Sequence, residues 1–347
     1  MVEETNPYDG SASHSLIGDN EIAWHTEPLN ELEENQMSVV TWIGLGKMGV
    51  PMAHHLVEAG HEVRGFDIDR VASDEAEAAG IHVYPSPAEA VAGADVVTTM
   101  LPAGPQVHEA LAGPSGLFST ASRSTLFIDF STIGIDAAKE IHAEAEKHGQ
   151  RFVDAPVSGG VTGAEDGTLS FMVGGSEQNF ASAAPFIEPI AGEGKIFHTG
   201  GPGAGQAFKI VNNLIMAVCV AVSSEGLLLA ERLGLDAKLF HDVAVVSSAD
   251  NFALRDWCPA PGVVERAPSS HGYAAGFRAK LILKDLGLAL DTGVSTNTDL
   301  AITRTVHALY SQMVNMGGGD YDCTALLPAL AGRLPIDGPS TADAIAS

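Results

Sequence analysis

A strand-like run, Val39-Val-Thr-Trp-Ile43, passes without a break into Gly44-Leu45-Gly46-Lys47-Met48-Gly49 and then into a helical pattern. Few stretches restrict a fold so tightly. The first glycine makes a turn too sharp for a side chain, and the second lets a ligand approach the main chain. The third brings the helix hard against the strand. The helix that follows aims its free N–H groups and positive dipole end at the same point, which favours an anion. The whole suits the pyrophosphate of a dinucleotide, with a parallel sheet behind it. A plain glycine turn is the competing reading, and the residues downstream weigh against it.

From Val39 onward strands and helices alternate. Strands are expected at 39–43, 62–67, 81–84, 95–100, 125–130, 152–156, 169–173 and 195–198. Helices are expected between them at 48–58, 73–79, 87–92, 108–112 and 137–148. Such alternation predicts a parallel sheet covered on both faces. After about Gly200 the pattern becomes helical only. One long helix is expected from about Gly205 to Leu233, closed by Gly234, with Asp236 capping the next; further helices are expected over 280–295 and 298–316. The fold class is therefore α/β: an N-terminal Rossmann-type doubly wound sheet over 37–200, joined by a long helix to an all-α domain over 201–333. Residues 1–36 read as a disordered acidic extension and 334–347 as a flexible tail. The segment Trp257–Gly276, rich in Pro, Gly and Ser, reads as an ordered loop.

Asp67 closes the second strand, where a carboxylate accepts hydrogen bonds from ribose hydroxyls and repels a 2′-phosphate. Ile68 stands where a phosphate-binding Arg would be expected, so the cofactor is read as NAD rather than NADP. Met100-Leu101-Pro102 and Asp129-Phe-Ser131-Thr132 end later strands and should line the nicotinamide half. His54 and His55, on the first helix, read as packing or surface residues rather than ligands.

Lys209 lies in Gly203-Ala-Gly205-Gln-Ala-Phe-Lys209-Ile-Val-Asn212-Asn213, in the first turns of the long helix. Spacings of three and four put Lys209, Asn212 and Asn213 on one face, while Val211, Leu214, Ile215 and Val218 are expected to face a core. Upstream, Ser158-Gly159-Gly160 can turn backbone N–H groups and a hydroxyl toward a carboxylate. A plain turn there and a solvated lysine are the bland alternatives. The net charge of −26 (18 basic against 44 acidic residues) argues against nucleic acid as a partner. It also makes a lysine inside a motif conspicuous. No uninterrupted apolar run is long enough to predict a membrane span. The three scattered cysteines match no metal or disulfide spacing and suit a reducing cytoplasm.

In order, four segments resemble the β-hydroxyacid dehydrogenase family. They are Gly44–Gly49, Asp154–Gly160 continuing to Gly175, Lys209-Ile-Val-Asn-Asn213, and Phe277 with Lys284-Asp285-Leu286. The resemblance spans about Val39 to Leu330. It is strongest to the 3-hydroxyisobutyrate dehydrogenase branch, on Asn212-Asn213 and Pro259-Ala-Pro261-Gly262. His55 departs from it, standing where many members carry Asn.

The resemblance implies that Lys209 is the general acid/base, that Asn213 orients the substrate and that Ser158, Gly159 and Gly160 hold its carboxylate. It further implies NAD contacts from Gly44, Leu45, Gly46, Lys47, Met48, Gly49, Asp67, Leu101, Pro102, Gln106, Thr132 and Lys284. Burial and the nicotinamide cation would lower Lys209 toward roughly 7–8, within reach of proton transfer. No metal is implied, because NAD carries the redox chemistry. The reaction implied is NAD-dependent oxidation of 3-hydroxyisobutyrate to methylmalonate semialdehyde in valine breakdown, by a homodimer or homotetramer. Another small β-hydroxyacid (glycerate, or a succinic-semialdehyde-type substrate) is the near alternative. A non-catalytic protein that keeps only the cofactor fold is the distant one.

Overall fold

Runs rich in Val, Ile and Phe form the strands of a nine-stranded sheet in the computed structural model, which describes residues 37–334. The expectations for 1–36 and, but for Leu334, for 334–347 lie outside the described residues. The strands are β1 Val39–Ile43, β2 Glu62–Phe66, β3 His82–Val83, β4 Val96–Thr99, β5 Leu126–Asp129, β6 Arg151–Asp154, β7 Val157–Ser158, β8 Leu169–Gly174 and β9 Ala191–Gly200. Their order is β3-β2-β1-β4-β5-β6-β8-β7, with β9 beside β8. From β3 to β6 every pairing is parallel. The order reverses between β1 and β4, so a crevice for a ligand opens at their carboxyl ends.

The sheet is not parallel throughout, as the alternation had suggested. β8 runs antiparallel to β6, and β7 antiparallel to β8. Only the ten residues Gly159–Thr168, including the short Gly160–Glu165 helix, separate Val157–Ser158 from β8, and a parallel crossover needs about a dozen or more.

The helices are α1 Gly49–Glu58, α2 Arg70–Ala78, α3 Pro87–Ala90, α4 Gly104–Ala112, α5 Leu117–Thr120, α6 Ile135–His148, α7 Gly160–Glu165 and α8 Glu177–Ile187. They are followed by α9 Ala204–Arg232, α10 Ala237–Ala244, α11 Phe252–Arg255, α12 Ala279–Ser295, α13 Ala301–Asn315 and α14 Leu326–Leu330. Two apolar layers sandwich the sheet. Trp42, Met52, Leu56, Phe130 and Phe171 fill one, and Ile43, Val97, Phe118, Phe127 and Phe152 the other. Several helix starts lie earlier than the apolar periodicity indicated, because caps set them. Asp69 accepts the Val71 N–H at the head of α2, and Pro105 occupies the first turn of α4.

A third core forms around α9, with Ala217 and Val220 against Ile282 and Leu286 of α12 and Tyr310 of α13. Gly234, at φ +73°, lets the chain turn back, and Leu235 N–H reaches Ala230 O at 3.0 Å. Asp236 then caps α10 through Leu239 N–H at 2.7 Å. By length and composition α9 could cross a bilayer. Its buried side nevertheless carries Gln206, Lys209, Asn213, Ser223 and Ser224. The expected core face of α9 needs correction: Val211 and Ile215 are each 56% exposed. Up to Asn213 the inward side of α9 carries the polar residues that meet the sheet ends and α12, and further on it carries Ala217, Val220 and Leu227. Val211 and Ile215 lie on the outer side.

Candidate active site

Gly44 sits at φ +97°, a conformation open to glycine, and a Cβ there would lie 2.4 Å from Met100 O. A Cβ on Gly49 would lie 2.0 Å from Gly44 O, so the start of α1 packs directly on the turn. Around Gly46 nothing stands within 4 Å, which leaves an open cradle for a phosphate group. Lys47 is exposed and Met48 half-buried beside it, while the Leu45 side chain is buried in the core. Only the main chain of Leu45 is therefore available to a ligand. Its N–H donates to Asp67 Oδ2 at 2.6 Å, and Asp69 N–H donates to Asp67 Oδ1 at 2.8 Å. Two main-chain donors thus fix the carboxylate, and each oxygen keeps acceptor capacity for a ribose hydroxyl. It borders a cleft of about 650 Å³ lined by Phe66, Ile68, Arg70 and Tyr84.

Beyond the reversal point the loops after β4 and β5 are joined. Leu101 N–H donates to Ser131 Oγ at 2.8 Å. Lys284, from α12, reaches across and donates to Thr132 O at 2.6 Å and Pro102 O at 3.1 Å. One ammonium group therefore ties the helical domain to both loops. Gln106 is exposed near the start of α4.

Lys209 is 7% exposed and Asn213, one turn on, 2% exposed. Asn213 Nδ2 donates to Asp285 Oδ2 at 2.6 Å, and Asp285 Oδ1 lies 3.2 Å from Lys284 Nζ. Asn212 donates to Asn213 Oδ1 at 3.1 Å, which orients that amide. Burial lowers the Lys209 pKa to about 8; the Asp285 carboxylate opposes the shift and the Lys284 charge adds to it. The apolar interior thus holds a lysine poised to gain or lose a proton near neutral pH.

Ser158, half-buried, ends β7 opposite Ser170, and Gly159 and Gly160 follow at φ +138° and +66°. A Cβ on Gly160 would touch Gly276 O at 3.8 Å, so this loop faces the end of the 257–276 loop. That loop is ordered, as expected: Gly276 and Phe277 N–H groups donate to Asp322 Oδ2 at 3.1 and 2.8 Å, and Tyr273 Oη donates to Pro259 O at 3.0 Å. Hydrogen bonds and the Lys284–Asp285 ion pair link Lys209's neighbours to the loops after β4 and β5. Among the described residues, none joins Ser158–Gly160 directly to Lys209. His55 packs: its Nε2 lies 3.0 Å from Ala164 O, holding α1 against α7.

Asp285 was legible only as part of a motif. A carboxylate on the buried face of α12, with Ile282, Leu286 and Ala289, is the signal that marks it, because such a charge needs partners.

Two family models cover this architecture. The NAD-binding domain of 6-phosphogluconate dehydrogenase matches residues 39–200, and the NAD-binding domain of NADP-dependent 3-hydroxyisobutyrate dehydrogenase matches 203–330. A probable 3-hydroxyisobutyrate dehydrogenase of Mycobacterium tuberculosis is 43% identical over 297 residues, 86% of this chain and 99% of that protein. The chain belongs to the β-hydroxyacid dehydrogenase family.

Members of the family also align in structure. The Mycobacterium tuberculosis 3-hydroxyisobutyrate dehydrogenase solved with L-serine matches at TM-score 0.78 and 43% identity, covering 85% of this chain and 99% of that one. An NAD-dependent L-serine dehydrogenase of Pseudomonas aeruginosa is 40% identical over 286 residues, 82% of this chain and 95% of that protein. This β-hydroxyacid dehydrogenase is an NAD-dependent oxidoreductase, and its residues fit that cofactor. The space around Gly46 admits a pyrophosphate, and the pinned carboxylate of Asp67 suits a free 2′-hydroxyl.

Proposed function

We propose that the chain oxidises 3-hydroxyisobutyrate to methylmalonate semialdehyde with NAD, in the breakdown of valine, and that Lys209 is its general acid/base. The observation that carries this reading is Lys209 itself, buried beside Asn213 and Asp285 with a pKa of about 8. Bound NAD supplies the hydride acceptor. Neutral Lys209 Nζ takes the hydroxyl proton of the substrate as the alcohol is oxidised, and returns it in the reverse direction. Asn213, held by Asp285, hydrogen-bonds the substrate oxygen and keeps it within reach. The Ser158 hydroxyl and the main-chain N–H groups of Gly159 and Gly160 hold the carboxylate, and Lys284 closes the cofactor loops from the helical side. The fingerprint Gly44–Gly49, Asp67, Leu101, Pro102, Gln106 and Thr132 carry NAD.

The similarity to an L-serine dehydrogenase favours a second reading, in which L-serine or another small β-hydroxyacid is the physiological substrate. Initial rates of NADH formation with 3-hydroxyisobutyrate, L-serine, glycerate, 3-hydroxypropionate and 4-hydroxybutyrate separate the two. A kcat/KM highest for 3-hydroxyisobutyrate supports the first, and one highest for another acid replaces it.

The protein is further proposed to act as a homodimer or homotetramer in the cytoplasm. Phe208, Val211, Ile215, Val222 and Leu229 form an exposed apolar stripe along α9, and such stripes are usually covered by a partner. The free thiols of Cys219, Cys258 and Cys323 suit a reducing compartment.

A further inference from the structure

Gln206 lies on the first turn of α9, one residue after Gly205 and three before Lys209, and it is fully buried. A buried amide is costly unless its donors and acceptor are all used. Here both ends of the amide are engaged. Nε2 donates to Ser131 O at 2.8 Å, while Oε1 accepts from Ile133 N–H at 2.9 Å and Gly134 N–H at 3.4 Å. The side chain thus behaves as an extra peptide group laid against the loop after β5. That loop includes Thr132, whose carbonyl holds Lys284, and Ser131, whose hydroxyl holds the Leu101 N–H.

The main chain under Gln206 is fixed with equal care. Its N–H donates to Asp154 Oδ2 at 3.0 Å. Asp154 Oδ1 accepts from Gly203 N–H at 2.9 Å and lies 2.8 Å from His142 Nε2. A Cβ on Gly205 would lie 2.3 Å from Met172 O and 2.6 Å from Asp154 O, so no larger residue lets α9 start this close to the strand ends. The first turn of α9 is therefore pinned to β6 and β8 through the backbone, and to the loop after β5 through Gln206.

We propose that Gln206 is a positioning residue: it fixes the loop Ser131–Gly134 relative to Lys209, and so sets the distance between the proton acceptor and the nicotinamide end of the cofactor site. Lys209 is one turn away on the same buried face, so its place follows from that turn. Gln206 has no exposed surface from which to reach a cofactor or substrate, so its effect passes through the two groups it joins. A displacement of about 1 Å in such a pair is enough to cost on the order of 100-fold in rate. This inference rests on the dehydrogenase reading above, with Lys209 as the base.

The test compares the wild type with Gln206→Met, which keeps the length and removes all three side-chain hydrogen bonds, and with Gln206→Glu, which removes the Nε2 donor. In ligand-free protein, amide hydrogen exchange at Ile133 and Gly134 is expected to quicken at least tenfold in Gln206→Met. This readout needs no turnover. In steady state, kcat is expected to fall about 30- to 100-fold in Gln206→Met, with NAD affinity and substrate KM within about threefold of wild type. A primary deuterium isotope effect on kcat should increase as hydride transfer becomes rate-limiting. Gln206→Glu keeps the acceptor for Ile133 and Gly134 and loses only the donor to Ser131 O. It should show the same fall in kcat and larger isotope effect, and its kinetics serve alone if the methionine variant does not fold. Unchanged exchange at 133 and 134 in folded Gln206→Met, or a kcat within about threefold of wild type in either folded variant, overturns the inference while leaving the proposed function standing. A wild type that binds NAD but oxidises none of the acids overturns the proposed function instead, and the exchange measurement still reads the staple.

Discussion

In the proposed mechanism the neutral form of Lys209 serves oxidation and the protonated form reduction, so its titration is the first thing to perturb. Burial brings its pKa from 10.5 to about 8. That shift corresponds to about 3 kcal/mol between the charged and neutral forms. At pH 7.5 about a quarter of the molecules then carry a neutral lysine, against about one in a thousand for an unperturbed one. Oxidation needs the neutral form, so kcat/KM for the hydroxyacid should rise tenfold per pH unit below about 8 and level off above it. Reduction of the aldehyde should show the opposite limb. Asp285 opposes the shift, because its carboxylate stabilises the ammonium. Asp285→Asn should therefore lower the Lys209 pKa further and move the oxidation limb toward acid. NADH absorbance between pH 6 and 10, at saturating NAD and limiting acid, reads both. Lys209→Ala should lose about 100- to 10,000-fold in kcat on the alkaline plateau and should lack the limb near 8. A wild-type limb near 10, or one that stays or moves toward alkali in folded Asp285→Asn, refutes the reasoning.

The second and third glycines of the fingerprint should separate stability from binding. Gly49→Ala drives a Cβ against Gly44 O and should destabilise by about 1–3 kcal/mol in urea titration. Gly46→Ala meets only open space, so it should melt like wild type while NAD affinity falls at least about tenfold by calorimetry. Asp67→Asn removes the charge that repels a 2′-phosphate, and should raise the KM for NAD about tenfold while narrowing the gap to NADP. Ile215→Glu with Val222→Glu puts two charges into the stripe on α9, and light scattering should then report a smaller assembly than wild type.

Much of this molecule was legible in local sequence. The glycine spacing, the strand before it and the carboxylate at Asp67 are short-range signals, and each has one dominant physical cause. The same holds for Gly234 and Asp236 at the joint between α9 and α10. Lys209 and Asn213 could be placed on one face of a helix by periodicity alone. Periodicity does not say which face of a helix is inside, however: the spacing points Val211 and Ile215 toward a core, and the structure leaves both exposed. The antiparallel return of β7 and β8 escaped too, because two-residue pairings leave almost no pattern.

Asp285 and Gln206 mark the boundary most clearly. The residue types, the helices that carry them and the cofactor they serve follow from the chain itself, since fingerprint, alternation and motif order are properties of neighbours in sequence. Tertiary structure alone decides what Lys209 is: an amine with a pKa of about 8, between the end of a sheet and a helix that begins 70 residues later. Desolvation and charge pairing depend on what comes near in space, and residues 72 and 73 positions apart, such as Asn213 with Asp285 and Ile133 with Gln206, meet only when the chain has folded.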